Sequence, residues 1–172
     1  MMYRHTIAAL LLCLTCAQGF AISDDDVLGL WEAENGGARV QVYKNDNGRY
    51  EGKIVWMKEP NYPKGHPDEG KPKTDKANPD KTRHDDPIIG LVLFYGFSFD
   101  GKESWNEGSI YDAYHGNTYD SVMSLPAPDT LHVRGYVGLP AFGKTTVWKR
   151  VQDNTESGEP SETALPKIEP GE

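Results

Sequence analysis

Residues 22–172 contain no cysteine, because both thiols of the chain, Cys13 and Cys16, fall in its first 21 residues. Once those 21 are removed, a disulfide framework, a thiolate nucleophile and a cysteine metal site are excluded, and stability must come from a packed core. Also missing is an apolar run near the ~20 residues that a membrane-crossing helix needs. The apolar run at residues 7–14 is far shorter. No long stretch repeats its apolar residues at helical spacing. Basic residues are in deficit: without Arg4 the chain carries 17 lysines and arginines against 26 acids, a formal charge of −9. That balance argues against nucleic acid and anionic membrane surfaces as partners.

The ends read differently from the middle. Arg4 and His5, the apolar run, and Gly19-Phe20-Ala21 form the three-part pattern of a signal peptide over residues 1–21. Leu12 precedes Cys13 and Thr15 precedes Cys16, which does not fit a lipid-anchored cysteine. The expectation is removal after Ala21 and a periplasmic or secreted protein. Residues 152–172 hold six acids, one lysine and three prolines. Such a segment buries too little to offset its ordering entropy and is predicted to be a disordered acidic tail. A single domain is left at residues 22–151.

What is present there is a series of short alternating segments between turns. Gly29-Leu30-Trp31 opens a strand at 28–33, and Asn35-Gly36-Gly37 supplies residues that accept positive φ. Ala38, Val40 and Val42 alternate with Arg39, Gln41 and Tyr43. The strand at 50–57 is expected to place Ile54 and Trp56 on one face. In 90–99, Leu91, Leu93, Tyr95, Phe97 and Phe99 are expected to share a face, opposite Val92, Phe94 and Ser98. Further strands are read at 104–112, 118–125, 130–137 (Leu131 and Val133 inward) and 144–151. About eight antiparallel strands predict an all-β fold, an up-and-down barrel whose last strand closes on its first. A two-sheet sandwich is the competing architecture. Gly52, Gly108 and Gly135 inside strands favour sharp curvature. Residues 58–89, with six prolines, break the pattern. They are predicted to form one long irregular loop over a mouth or along a wall.

The order and spacing of these pieces resemble the bacterial domain of unknown function 2147 family, secreted proteins of the cell envelope. The matching stretches are Gly29-Leu30-Trp31, Gly36-Gly37-Ala38-Arg39-Val40, Gly52-Lys53-Ile54-Val55-Trp56, Lys73-Thr74-Asp75, Asn78-Pro79-Asp80 and Gly90-Leu91. They continue with Gly108-Ser109-Ile110-Tyr111-Asp112, Gly116-Asn117-Thr118-Tyr119, Leu131-His132-Val133-Arg134-Gly135, Phe142-Gly143-Lys144-Thr145 and Trp148-Lys149-Arg150. Glu51 stands where family members often have the later cysteine of a pair, so no stapled hairpin is implied. The family has no settled activity. The ends also resemble lipocalins and fatty-acid-binding proteins, in which a Gly-x-Trp opens the first strand and a distant arginine covers the tryptophan. The resemblance implies that Trp31 and Arg150 form that pair and close the barrel.

Several groupings invite a chemical reading. Gly138 to Thr145 spells G-x-x-x-x-G-K-[ST], but a phosphate loop needs a helix after it. The β-branched run Thr145-Thr146-Val147 predicts a strand instead, with Phe142 plugging the barrel end. Asp75, Asn78 and Asp80 group oxygen ligands suited to Ca²⁺, although interleaved lysines favour turn caps. His66 and His84 have acidic neighbours, but Zn²⁺ needs three or four convergent ligands. Asp112, His115 and Tyr119 offer an acid–base pair with no assigned nucleophile. No cofactor, metal site or catalytic residue is assigned.

The aromatics Trp56, Tyr95, Phe97, Trp105 and Tyr111 are the candidates to line a pocket for a small apolar or amphipathic molecule, with His132 or Arg134 orienting its polar head. The expectation is therefore a non-enzymatic envelope protein that binds such a ligand. Two rivals stand beside it. One is a solid-cored module that docks an envelope protein. The other is a hydrolase using loop carboxylates.

Overall fold

The structure is a computed structural model that describes residues 21–152, so the expected signal peptide, but for Ala21, and the expected acidic tail, but for Gln152, lie outside the described residues. Eight antiparallel strands close into a barrel in sequence order. They are β1 (Gly29–Glu32), β2 (Ala38–Lys44), β3 (Tyr50–Met57), β4 (Val92–Phe99), β5 (Ser104–Asp112), β6 (Asn117–Ala127), β7 (Thr130–Tyr136) and β8 (Lys144–Arg150). Closure is the β1–β8 pairing, with Trp31 opposite Arg150 and Glu32 opposite Lys149. The sandwich is thereby excluded.

Short side chains set the turns. Asn35 Oδ1 accepts the Gly37 N–H at 2.9 Å, and Asn45 Oδ1 accepts those of Asn47 and Arg49 at 3.0 Å. Asp100 Oδ1 accepts three successive N–H groups, from Lys102, Glu103 and Ser104. These bonds hold its carboxyl below the ordinary carboxylate value.

One end of the barrel is filled and sealed. Trp31, Tyr50, Phe97, Trp105, Met123, Leu125 and Leu131 are buried there. A 3₁₀ turn, Asp24–Val27, lies across this end. The Trp31 indole N–H donates to the Val27 carbonyl at 2.9 Å, and that of Trp105 to the Asp24 carbonyl at 3.1 Å. The Tyr50 hydroxyl reaches the carboxylates of Asp24 and Asp25. Val27 is fully buried and completes the seal.

The strand glycines make room for rings. A Cβ on Gly52 would lie 2.2 Å from the Phe94 ring, and one on Gly108 2.3 Å from the Phe97 ring. Phe94 and Phe97 therefore lie on glycine-floored wall and meet each other edge to face, centroids 5.5 Å apart.

Strict alternation fails in β3 and β4 because the ladders slip. The β2–β3 register shifts between Arg39 and Val40, so Ile54 pairs with Val40 but Trp56 with Arg39. One extra residue sits between them, and Val55 and Trp56 both end exposed. In β4, Gly96 at φ +83° separates Tyr95 from Phe97. Phe94 and Phe97 enter the core while Tyr95 is left outside, correcting the face expected from sequence. On β5, Glu107 at φ +64° marks a bulge between Trp105 and Gly108.

The long connection from β3 to β4 is built rather than loose. Isolated bridges pair Asn61 with Pro72 and Thr74 with Pro87. Asp80 caps the 3₁₀ turn Lys81–Arg83 through the Thr82 N–H. The segment lies along the outer wall of β4 to β6, and its Ala77 carbonyl would sit 1.9 Å from a Cβ on Gly116. Only glycine fits that contact, at φ +72°. The loop thus takes the wall, the second of the two places expected for it.

Candidate functional site: the open end of the barrel

At the end opposite the Asp24–Val27 seal, the barrel is hollow. A cavity of about 600 Å³ opens between Ala33, Leu93, Ile110, Tyr119, Thr146 and Trp148. A lobe of about 340 Å³ continues past Ile110 and Tyr119 toward Val133 and Gly135. Gly135 keeps that lobe open, since a Cβ there would lie 3.3 Å from Ile110 Cγ2. The inner surface is mostly apolar. Trp148 forms part of it, and its indole N–H is satisfied by Thr146 Oγ1 at 2.9 Å.

Charge is confined to the rim. Glu34, Asp112 and Lys144 border the opening. Asp112 is occupied by its own turn: Oδ1 accepts the N–H groups of Tyr114 and His115, and Oδ2 lies 2.6 Å from His115 Nδ1. Burial pushes its carboxyl up, but the imidazole and the two N–H groups outweigh this and hold it below its ordinary value. Among the described residues, no carboxylate lies within ion-pairing distance of Lys144. Among the described residues the rim therefore offers one cation, Lys144, and one carboxylate, Glu34, outside any ion pair above an apolar hollow.

A second concavity, about 630 Å³, lies outside the barrel between the long loop and β4 to β6. Tyr95, Ile89 and Pro79 border it, and its cation Arg83 is paired to Asp86 at 2.9 Å. Beneath its edge, fully buried Asp75 accepts the Tyr111 hydroxyl at 2.8 Å and the Asn78 amide at 2.7 Å. Burial, then the carboxylate, pushes the Tyr111 hydroxyl up to about 12.

The residues expected from sequence are dispersed. Trp31 and Arg150 meet as expected, the guanidinium 4.1 Å from the ring centre. Phe97 and Trp105 are fully buried in the filled half and line no cavity there. Trp56 stands outside the barrel with the Arg39 guanidinium 4.8 Å over its ring. Tyr95 borders the outer groove, and Tyr111 borders both that groove and the open-end hollow, with its hydroxyl turned to Asp75. His132 and Arg134 alternate with buried Leu131 and Val133 and so take the outer face. Arg134 donates to the Pro140 and Ala141 carbonyls and to Thr145 Oγ1, holding the β7–β8 loop. A ligand-orienting role inside the barrel is excluded for both.

The other groupings resolve into local structure. After Gly143 the chain enters β8, a strand, so the helix a phosphate loop requires is missing. Phe142 plugs nothing: it is 81% exposed. Asp75, Asn78 and Asp80 form no shared oxygen cage: Asp75 is taken by the Tyr111 hydroxyl and the Asn78 amide N–H, and Asp80 turns to Thr82. Among the described residues, no three His, Cys, Asp or Glu side chains group as metal ligands. His66 stacks on Tyr62, centroids 4.3 Å apart, and His84 bonds the Asn78 carbonyl.

Sequence reasoning missed the lining residues Leu93, Ile110, Tyr119, Lys144, Thr146 and Trp148. The last three were readable, because a period of two places 144, 146 and 148 on one face. Leu93 and Ile110 were hidden by bulges next to them.

Comparison with known proteins agrees with this architecture. The family described as "Uncharacterized protein conserved in bacteria (DUF2147)" matches residues 29–150. The fold is similar to that of protein HP1028 from Helicobacter pylori, described as belonging to the lipocalin family. The TM-score is 0.62 at 23% identity, covering 74% of this chain and 84% of that one. No curated protein matches the chain.

Proposed function

For a chain that belongs to the DUF2147 family and closes a lipocalin-like barrel, we propose that its work is to hold a small amphipathic molecule in the open end without transforming it. The observation that carries this is the hollow itself, apolar within and bordered by Lys144. Its volume falls within the range of small-molecule sites. The apolar part of the ligand would be buried against Leu93, Ile110 and Trp148, at roughly 25 cal/mol per Å². An anionic head would meet the Lys144 ammonium at the rim. The signal-like start of the chain supports work outside the cytoplasm, in the periplasm or secreted medium, where the ligand is an envelope constituent.

Competition between a fluorescent anionic amphiphile and dodecanoate or dodecanol tests the reading. Lys144→Glu is expected to weaken dodecanoate about tenfold, one charged contact, and to leave dodecanol unchanged. Absence of binding by either in the unaltered protein contradicts it. Ile89 and Tyr95, both 41% exposed on the outer groove, favour a second reading in which an envelope protein docks on that wall.

A further inference from the structure

Four large apolar side chains stand in solvent at the same end as the hollow. Tyr114 in the β5–β6 turn is 87% exposed, and Val137, Leu139 and Phe142 in the β7–β8 loop are 75%, 62% and 81% exposed. Exposed apolar residues gathered at one place mark an interaction surface. These are not loose. The loop turns at Gly138, φ +74°, and the 3₁₀ turn Pro140–Phe142 is tied down by the Arg134 guanidinium. A cation fixes the carbonyls on one side while the apolar side chains are held outward.

Charge along β7, its loop and β8 is distributed to match, while the Glu34 and Asp112 carboxylates border the opening beside them. The chain has 26 acids, yet residues 131–152 contain none. The β7–β8 loop therefore reaches outward without a carboxylate, and Lys144 follows directly on Gly143. Tyr114 adds an aromatic ring with a polar tip, a type that concentrates at membrane–water interfaces.

We propose that these loop tips dock the open end on a phospholipid surface, with Leu139 and Phe142 entering the headgroup region and Lys144 meeting phosphate. The tips are convex and borne on two separate connections. A yielding lipid interface accepts such tips without complementary pockets, whereas a protein partner would need one for each. Docking in this pose brings the hollow against the layer that contains single-chain and double-chain amphiphiles. The inference rests on the ligand reading only for the cargo, not for the contact.

The test uses the chain from Ile22 onward, which contains every strand of the closed barrel, and phosphatidylcholine vesicles. The unaltered protein is expected to sediment with the vesicles. The double variant Leu139→Ser, Phe142→Ser is expected to lose about tenfold or more of that partitioning, from two apolar side chains withdrawn. Neither residue lines the hollow, so dodecanoate binding in solution should be kept, and an unchanged thermal midpoint shows intact folding. Failure of the unaltered protein to sediment, or equal sedimentation of the folded double variant, overturns the proposal. Crosslinking from position 139 to an envelope protein, with vesicles ignored, overturns it in favour of a protein partner. Vesicle binding lost in the double variant, with no dodecanoate binding by either protein, upholds the docking and removes the ligand reading.

Discussion

The Arg150 guanidinium lies 4.1 Å from the centre of the Trp31 ring and donates to the carbonyls of Leu28, Asp26 and Pro128. One side chain from the last strand thus ties the first strand, the sealing 3₁₀ turn and the β6–β7 turn together. Gly29 is part of the arrangement: a Cβ there would meet the guanidinium at 2.9 Å. The Gly-x-Trp spelling follows, because the arginine needs bare backbone two residues before the indole it covers.

Arg150→Met keeps the apolar stem and removes the fork. It should cost about 3 kcal/mol or more in urea unfolding, from carbonyls left without a charged donor and a lost cation–π contact. Arg150→Lys should recover only part of this, since an ammonium cannot serve three carbonyls in that fork. A loss below about 1 kcal/mol for Arg150→Met would contradict this account of the closure, given typical values for such contacts.

Two glycines with nearly the same φ give a paired prediction. Gly48, at φ +73°, has open space where a Cβ would go, whereas Gly116, at φ +72°, has the Ala77 carbonyl there. Gly48→Ala should cost about 1 kcal/mol of backbone strain alone. Gly116→Ala should cost clearly more and expose residues 74–90 to limited proteolysis, because the loop must lift from the β5–β6 turn. Equal losses would show that the loop does not rest on Gly116.

The alkaline limb of stability follows from Tyr43 and Tyr111. Burial first, and an accepting carboxylate second, raise both hydroxyls from 10.0 to about 12. The folded chain then holds these protons more tightly than the unfolded chain. Their contribution is complete below pH 10 and is lost as pH rises through 10 toward 12. Tyr111→Phe should flatten that limb. Near neutral pH it should also cost about 1.5–3 kcal/mol, since buried Asp75 loses a hydrogen-bond donor. Denaturant unfolding across alkaline pH reads both effects, and an unchanged slope would contradict the assignment.

How much was legible in the sequence differs between fold and site. The turns were readable because Asn, Asp and Gly carry their own geometry, as Asn45 and Asp100 do. Closure was readable from the resemblance of Trp31 and Arg150 to a known barrel pair. The lining was not, because alternation assigns faces only while the ladder keeps register. One inserted residue beside Val55 put Trp56 outside, and Gly96 put Tyr95 there. The bond from the Tyr111 hydroxyl to Asp75 was unreadable for another reason. Asp75 is 36 residues away in a loop without periodicity.

The central claim is that the open end is a ligand site. Native mass spectrometry of the protein isolated from the cells that make it, beside an Ile110→Trp variant that fills the hollow, tests this most directly. The account predicts a one-to-one complex with an amphiphilic molecule in the unaltered protein and a bare chain in the folded variant. A bare chain in both, or the same molecule retained by both, would contradict it.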